Sequence, residues 1–154
     1  MNPKQTQDEK NMKAALRQAQ KALELDEVPI GAVVVHKGRI VGRGYNTRET
    51  KNHPLGHAEI HAINQAARRL GRWRLTDCTL YVTLEPCPMC AGAIVNSRIS
   101  RLVFGAKDPK AGAVESLFQL LSDRRLNHRV PHTSDVLGPD CSKMLRDFFR
   151  RLRK

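Results

Sequence analysis

Long apolar runs are missing from this sequence. The longest, such as residues 30–35, are far too short to span a bilayer. The first ten residues are polar and lack the apolar stretch of a secretory signal, so the expectation is a cytoplasmic protein. Cysteine is scarce: Cys78, Cys87, Cys90 and Cys141 are the whole set. In a reducing compartment four thiols read as metal ligands or buried side chains before they read as disulfides. No internal repeat, low-complexity tract or linker interrupts the chain, and residues 1–154 are expected to form one domain. Acidic residues are also few, 15 against 27 Lys and Arg, which leaves a net charge of +12. A chain this basic is a candidate for binding a polyanion, the plain alternative being a well-solvated surface.

At 154 residues and 40% apolar content the chain can bury a core without staples. Met12, Leu16, Ala19 and Leu23 recur at helical spacing, which predicts a helix over residues 8–25. Residues 31–35 and 39–42 flank His36-Lys37-Gly38 and predict a hairpin. Apolar positions Ala62, Ile63, Ala66, Ala67 and Leu70 predict a helix over 58–70, with Gly71 as its cap. Strands are expected at 79–84 and 101–105, and a helix opens at Pro88 and runs to 97. A loop at 108–112, a short helix at 116–121, an edge strand at 132–137 and a last helix at 140–152 complete the order. Strands separated by helices argue for α/β layering, with one mixed sheet and helices on both faces.

Two segments carry the chemistry: His57-Ala58-Glu59 and Pro86-Cys87-Pro88-Met89-Cys90. Cys87 and Cys90 are three apart at a helix start, so they share a face. The helix N-terminus favours thiolates there. His57 offers a third ligand of matching softness, and three protein ligands leave a fourth, open position, the layout of a catalytic rather than a structural zinc. Glu59, in the first turn of its own helix, can lean back toward the same site. A carboxylate beside a zinc-bound water is a natural proton shuttle. A lone CxxC is often a redox pair or half of a structural zinc site, and a lone HxE is weak. The two together match the known signature of zinc-dependent base deaminases.

Beyond that signature the chain resembles the bacterial tRNA-specific adenosine deaminases, of the cytidine deaminase-like superfamily. Residues 29–35, Gly44-Tyr45-Asn46, residues 79–93, 103–108, 127–130 and 147–150 carry the resemblance, which spans about residues 12–150. It implies a three-layer α/β/α cytidine deaminase-like fold and a homodimer with active sites near the interface. The implied substrate is the anticodon loop of an arginine tRNA, whose wobble adenosine becomes inosine. The implied roles are zinc ligation by His57, Cys87 and Cys90 and proton transfer by Glu59. The Ala58 amide and the Glu85 carbonyl would flank the reacting centre. Asn46 would hydrogen-bond the target nucleotide, and Asp108 would contact the flanking RNA. Phe149 is expected either to stack on RNA and wall the pocket or to join Phe148 in the core. Lys107, Lys110 and the basic last helix would meet phosphates. The chain departs from the family at Tyr45, where Trp is frequent, and at Gly56, where Ala is common.

Overall fold

Val33, Val34 and Val35 are β-branched and suit a pleated, buried strand. In the computed structural model, which describes residues 3–153, they lie in β1 (Gly31–His36). β1 turns back into antiparallel β2 (Arg39–Tyr45) through Lys37 and Gly38, both at positive φ, as a tight two-residue hairpin demands. On its other side β1 pairs antiparallel with β3 (Cys78–Leu84). β3 then pairs parallel with β4 (Arg101–Ala106), and β4 parallel with β5 (His132–Thr133). The sheet order is β2-β1-β3-β4-β5.

Among the described residues, four α-helices complete the fold: α1 (Pro3–Glu24), α2 (Ala58–Leu70), α3 (Pro88–Asn96) and α4 (Gly138–Leu152). Strand alternation feeds both faces of the sheet. Ala32, Val34, Leu80, Val82, Leu102 and Phe104 pack with Ala62 and Ala66 of α2 and Ala91 and Ile94 of α3. Val33, Val35, Tyr81 and Val103 pack with Met12 and Ala15 of α1 and Cys141 of α4. The result is the expected three-layer α/β/α arrangement around a mixed sheet. Among the described residues, no helix is long and apolar enough to cross a membrane.

Glycine sets how closely α2 lies on β2. A Cβ at Gly44 would stand 2.2 Å from the Ala58 carbonyl oxygen, so the first turn of α2 rests directly on the strand.

Three expectations need correction. The first helix starts at Pro3, not residue 8: Asp8 sits inside it, its carboxylate buried and bound by Arg101 at 2.9 and 2.7 Å and by the Tyr81 hydroxyl at 2.9 Å. Residues 116–121 are not a helix; only a 3-10 turn, Leu120–Ser122, forms. The amides of Leu117 and Phe118 bond back to the Gly112 carbonyl, and those of 114–116 go to the Glu85 side chain. The edge strand ends at Thr133 because Asp135 and Leu137 adopt positive φ, which breaks the pleat.

Candidate active site

The sheet delivers two helix N-termini to one place. α2 follows the loop after β2, and α3 follows β3. His57 is the residue before α2 and Cys87 the residue before α3, both extended, with Pro88 pre-set at the first helical position. Their side chains converge: His57 Nδ1 lies 3.6 Å from Cys87 Sγ and 3.5 Å from Cys90 Sγ. The three ligand atoms lie within 4.8 Å of one another, and among the described residues this is a group able to hold a metal ion.

The electrostatics suit a cation. The hydrogen bond from Cys90 holds the Cys87 thiol down at about 4, against burial, with help from His57. The contact with Cys87, burial and Glu59 push Cys90 far up. A cation between them lets both ionise. The bond to Cys87 also raises the His57 pKa. Glu59, 4% exposed, is pushed up to about 7 by burial, its own backbone amide and His57 opposing.

A cavity of about 440 Å³ opens onto this cluster. His57, Ala58, Glu59 and Cys87 line its floor, while Cys90 is fully buried behind them. Asn46 and Arg48 line it from the loop after β2. Glu85, Lys107, Asp108 and Lys110 line it from the end of β3 and the loop after β4, and Phe149 reaches it from α4. Asn46, His57, Ala58, Glu59, Glu85, Cys87, Asp108 and Phe149 therefore meet at one cavity, with Cys90 buried beside its metal-ligand partners, while the basic residues of α4 lie outside its lining. Phe149 proves to be a cavity residue, 42% exposed, whereas Phe148 is buried. Cys78 and Cys141 lie buried in the two cores, away from the ligand group.

Side chains in the cavity wall also shape their own loops. Asn46 donates from Nδ2 to the Val28 carbonyl at 3.3 Å and accepts the Arg48 amide at 3.1 Å. Asp108 Oδ1 accepts the amides of Lys110 at 3.0 Å and Ala111 at 3.3 Å. At Gly56 a Cβ would meet Thr47 Oγ1 at 2.8 Å and the His53 carbonyl at 3.0 Å, so a side chain there would crowd this loop, which the glycine fits without adjustment. The structure offers no comparable account of Tyr45.

Sequence reasoning missed Arg48 and Glu27 here, and the part played by the Glu85 carboxylate. Arg48 carries a cation to the cavity, and its sequence context is an ordinary polar loop. Glu27, 1% exposed, accepts the amides of Glu49 at 3.2 Å and Thr50 at 2.6 Å and so ties down the loop bearing Asn46 and Arg48. Glu85 was expected to act through its carbonyl, but its carboxylate is fully engaged too. Burial raises that carboxyl, yet bonds from the Ser116 hydroxyl and the amides of Glu115, Ser116 and Asp108 outweigh it and hold it at about 2. No periodicity or motif marks Glu27, and the segment that marks Glu85 points to its carbonyl rather than its carboxylate.

Comparison with known proteins agrees with the geometry. Residues 6–153 match the model of the MafB19-like deaminase family. The chain is 54% identical over 149 residues to the tRNA-specific adenosine deaminase of Bacillus subtilis, covering 97% of this chain and 92% of the relative. It is 49% identical over 148 residues to that of Haemophilus influenzae, covering 96% and 86%. A solved structure from a study of A-to-I editing by tRNA:A34 deaminases at the wobble position of transfer RNA superimposes with a TM-score of 0.84 at 45% identity, covering 88% of this chain and 98% of that one. A guanine deaminase from Nitrosomonas europaea shares the fold, with a TM-score of 0.80 at 22% identity and coverage of 96% and 93%.

Proposed function

The chain belongs to the MafB19-like deaminase family and to the tRNA-specific adenosine deaminases it matches over nearly its whole length, and we propose that it hydrolyses adenosine to inosine at the wobble position of an arginine tRNA, with one zinc ion per chain. The observation that carries this reading is the His57–Cys87–Cys90 group beside the buried carboxylate of Glu59 on the floor of one cavity. Four ligands around a zinc ion, with bonds of about 2.3 Å to sulfur and 2.0–2.1 Å to nitrogen, set nitrogen and sulfur about 3.5 Å apart. The observed separations of 3.5 and 3.6 Å fit that edge, and the two-thiol, one-imidazole donor set suits zinc. When bound, the ion supplies Lewis-acid activation of water at the position the protein leaves open.

The chain's own residues do the rest. The Glu59 carboxylate takes a proton from the attacking water and delivers it to the ring nitrogen of the base, then takes the remaining proton of the new C6 hydroxyl and passes it to the departing amine. Water adds at C6 of adenine, ammonia leaves, and inosine remains. The Ala58 amide, at the start of α2, and the Glu85 carbonyl flank the reacting centre. Asn46 holds the target nucleotide and Asp108 touches the flanking RNA, where a ribose hydroxyl separates RNA from DNA. Phe149 walls the pocket. Arg48, Lys107 and Lys110, all at the cavity, meet phosphates. C6 is hidden in a stacked helix, which favours a splayed anticodon loop as substrate. Residues 1–154 act as one deaminase domain, as a cytoplasmic homodimer whose active sites lie near the interface.

The test is to incubate purified protein with an arginine tRNA and sequence the anticodon, where inosine reads as guanosine. Free adenosine, cytosine and guanine serve as parallel substrates. Conversion of a free base or nucleoside with the tRNA untouched would reassign the substrate.

A further inference from the structure

Glu85 has a second end. Glu85 is 2% exposed, and among the described residues no cationic side chain bonds its carboxylate. Instead it is wrapped by the loop that follows β4. Oε1 accepts the Asp108 amide at 3.0 Å and the Ser116 hydroxyl. Oε2 accepts the amides of Val114 at 3.1 Å, Glu115 at 2.7 Å and Ser116 at 2.9 Å. The loop closes so tightly that a Cβ at Gly112 would stand 2.4 Å from the carboxylate carbon. Closing a loop does not by itself need a buried anion, which is costly unless every lone pair is used. Here they are used, and by amides whose positions follow the anion. The outer side of the same loop carries Lys107, Asp108 and Lys110 into the cavity.

We propose that the Glu85 carboxylate is a positioning residue for RNA recognition: by gathering the amides of 108 and 114–116 it fixes the cavity wall that presents Lys107, Asp108 and Lys110 to the RNA. This rests on the tRNA-deaminase reading. The carboxylate acts through the loop and touches no reacting atom, so disturbing its grip weakens capture of RNA without slowing chemistry in the bound complex.

The test uses full-length, metal-loaded protein and an RNA stem-loop with adenosine at the wobble position. Steady-state KM and kcat are read beside metal content and Tm. Gly112→Ala pushes a methyl into the carboxylate, and Ser116→Ala removes one donor. Loss of bonds to a charged group predicts a KM rise of about tenfold for the first and about threefold for the second, with kcat within about threefold. Metal stays at one per chain. Ser116→Thr, which keeps the hydroxyl, retains the original KM. Glu85→Gln, which turns one acceptor into a donor facing amide N–H groups, raises KM as well, and adding Ser116→Ala to it raises KM by less than Ser116→Ala does in the wild type, because both changes weaken one network.

Unchanged KM in Gly112→Ala and Ser116→Ala overturns the proposal, as does a loss of activity that merely tracks Tm or metal content. Should Gly112→Ala fail to fold, the Ser116 pair decides alone: Ser116→Ala with the original KM overturns it. A wild-type protein inactive on adenosine in any RNA sinks the functional reading instead, which is a different result.

Discussion

Phe148 and Phe149 are chain neighbours on α4 with ring centroids 5.4 Å apart, yet Phe148 is 3% exposed and Phe149 42%. A helix turns about 100° per residue, so adjacent side chains leave in different directions. Phe148→Ala should lower stability by about 3–5 kcal/mol with little change in KM of the folded fraction. Phe149→Ala should leave the urea midpoint near wild type and raise KM for tRNA. Equal stability losses, with KM unmoved by Phe149→Ala, would put both rings in the core.

Glu59→Ala should remove chemistry and keep the metal, because His57, Cys87 and Cys90 remain. Turnover should fall by about 10²–10⁴-fold, the worth of general acid–base catalysis, with RNA affinity retained. Glu59→Gln fills the same space without a basic oxygen and should be nearly as inactive. Metal analysis and single-turnover rates check this; zinc lost from Glu59→Ala would make the residue a prop or a ligand.

The other two thiols stay out of the metal site. Cys78 and Cys141 lie buried in the two cores, outside the group of His57, Cys87 and Cys90, and burial pushes them up to about 11 and about 12, with no second group of facing ligand atoms among the described residues to share a cation. The double variant Cys78→Ser/Cys141→Ser should keep one zinc per chain, while Cys87→Ser or Cys90→Ser should lose it. Chelation of the wild type should lower Tm, since the ion binds only the folded arrangement. Metal lost from the double Ser variant would revive a structural site.

RNA affinity should fall linearly with salt on logarithmic axes, by about 0.7 per phosphate contact for a single strand. Arg150 and Arg151 are held only loosely, each 4.0 Å from an aspartate. Neutralising Arg150, Arg151 and Arg153 should flatten the slope if α4 faces RNA. An identical slope would mark that end of α4 as a solvated surface.

Far from the cavity, Asp77 accepts bonds from Arg72 at 2.7 Å and pairs with His36 at 2.8 Å. Arg72 first, then His36, hold its carboxyl at about 2 against an ordinary 3.8, with burial opposing. A depressed folded pKa means stability present above about pH 4 and lost as pH falls toward 2. The side chain is 47% exposed, so the contribution is under about 1 kcal/mol. Asp77→Asn should therefore lower the urea midpoint slightly at pH 7 and not at pH 2; a pH-independent difference would assign the effect to packing.

Helix α2 matched its expected bounds to the residue because its signals are local: apolar spacing along Ala62, Ile63 and Ala66, and Gly71 at positive φ closing the last turn. Cys87 and Cys90 were legible for the same reason, since a three-residue step on a helix puts both on one face. Residues 116–121 misled because local pattern competes with a distant acceptor: Glu85, about thirty positions away, takes the amides of 114–116.

What the sequence determined by itself, then, was the donor chemistry: a histidine, two thiols and a carboxylate, each placed at the start of a helix by neighbours a few residues away. Only the tertiary structure decided that the two helix starts meet, with His57 and Cys87 thirty positions apart in the chain and 3.6 Å between their ligand atoms. It also decided which face Phe149 presents and where the two cavity loops stand. Those loops are set by Glu27 and Glu85, buried carboxylates whose partners are backbone amides. Every residue but proline carries such an amide, so no side-chain pattern announces the contact, and it exists only once the sheet has brought acid and loop together.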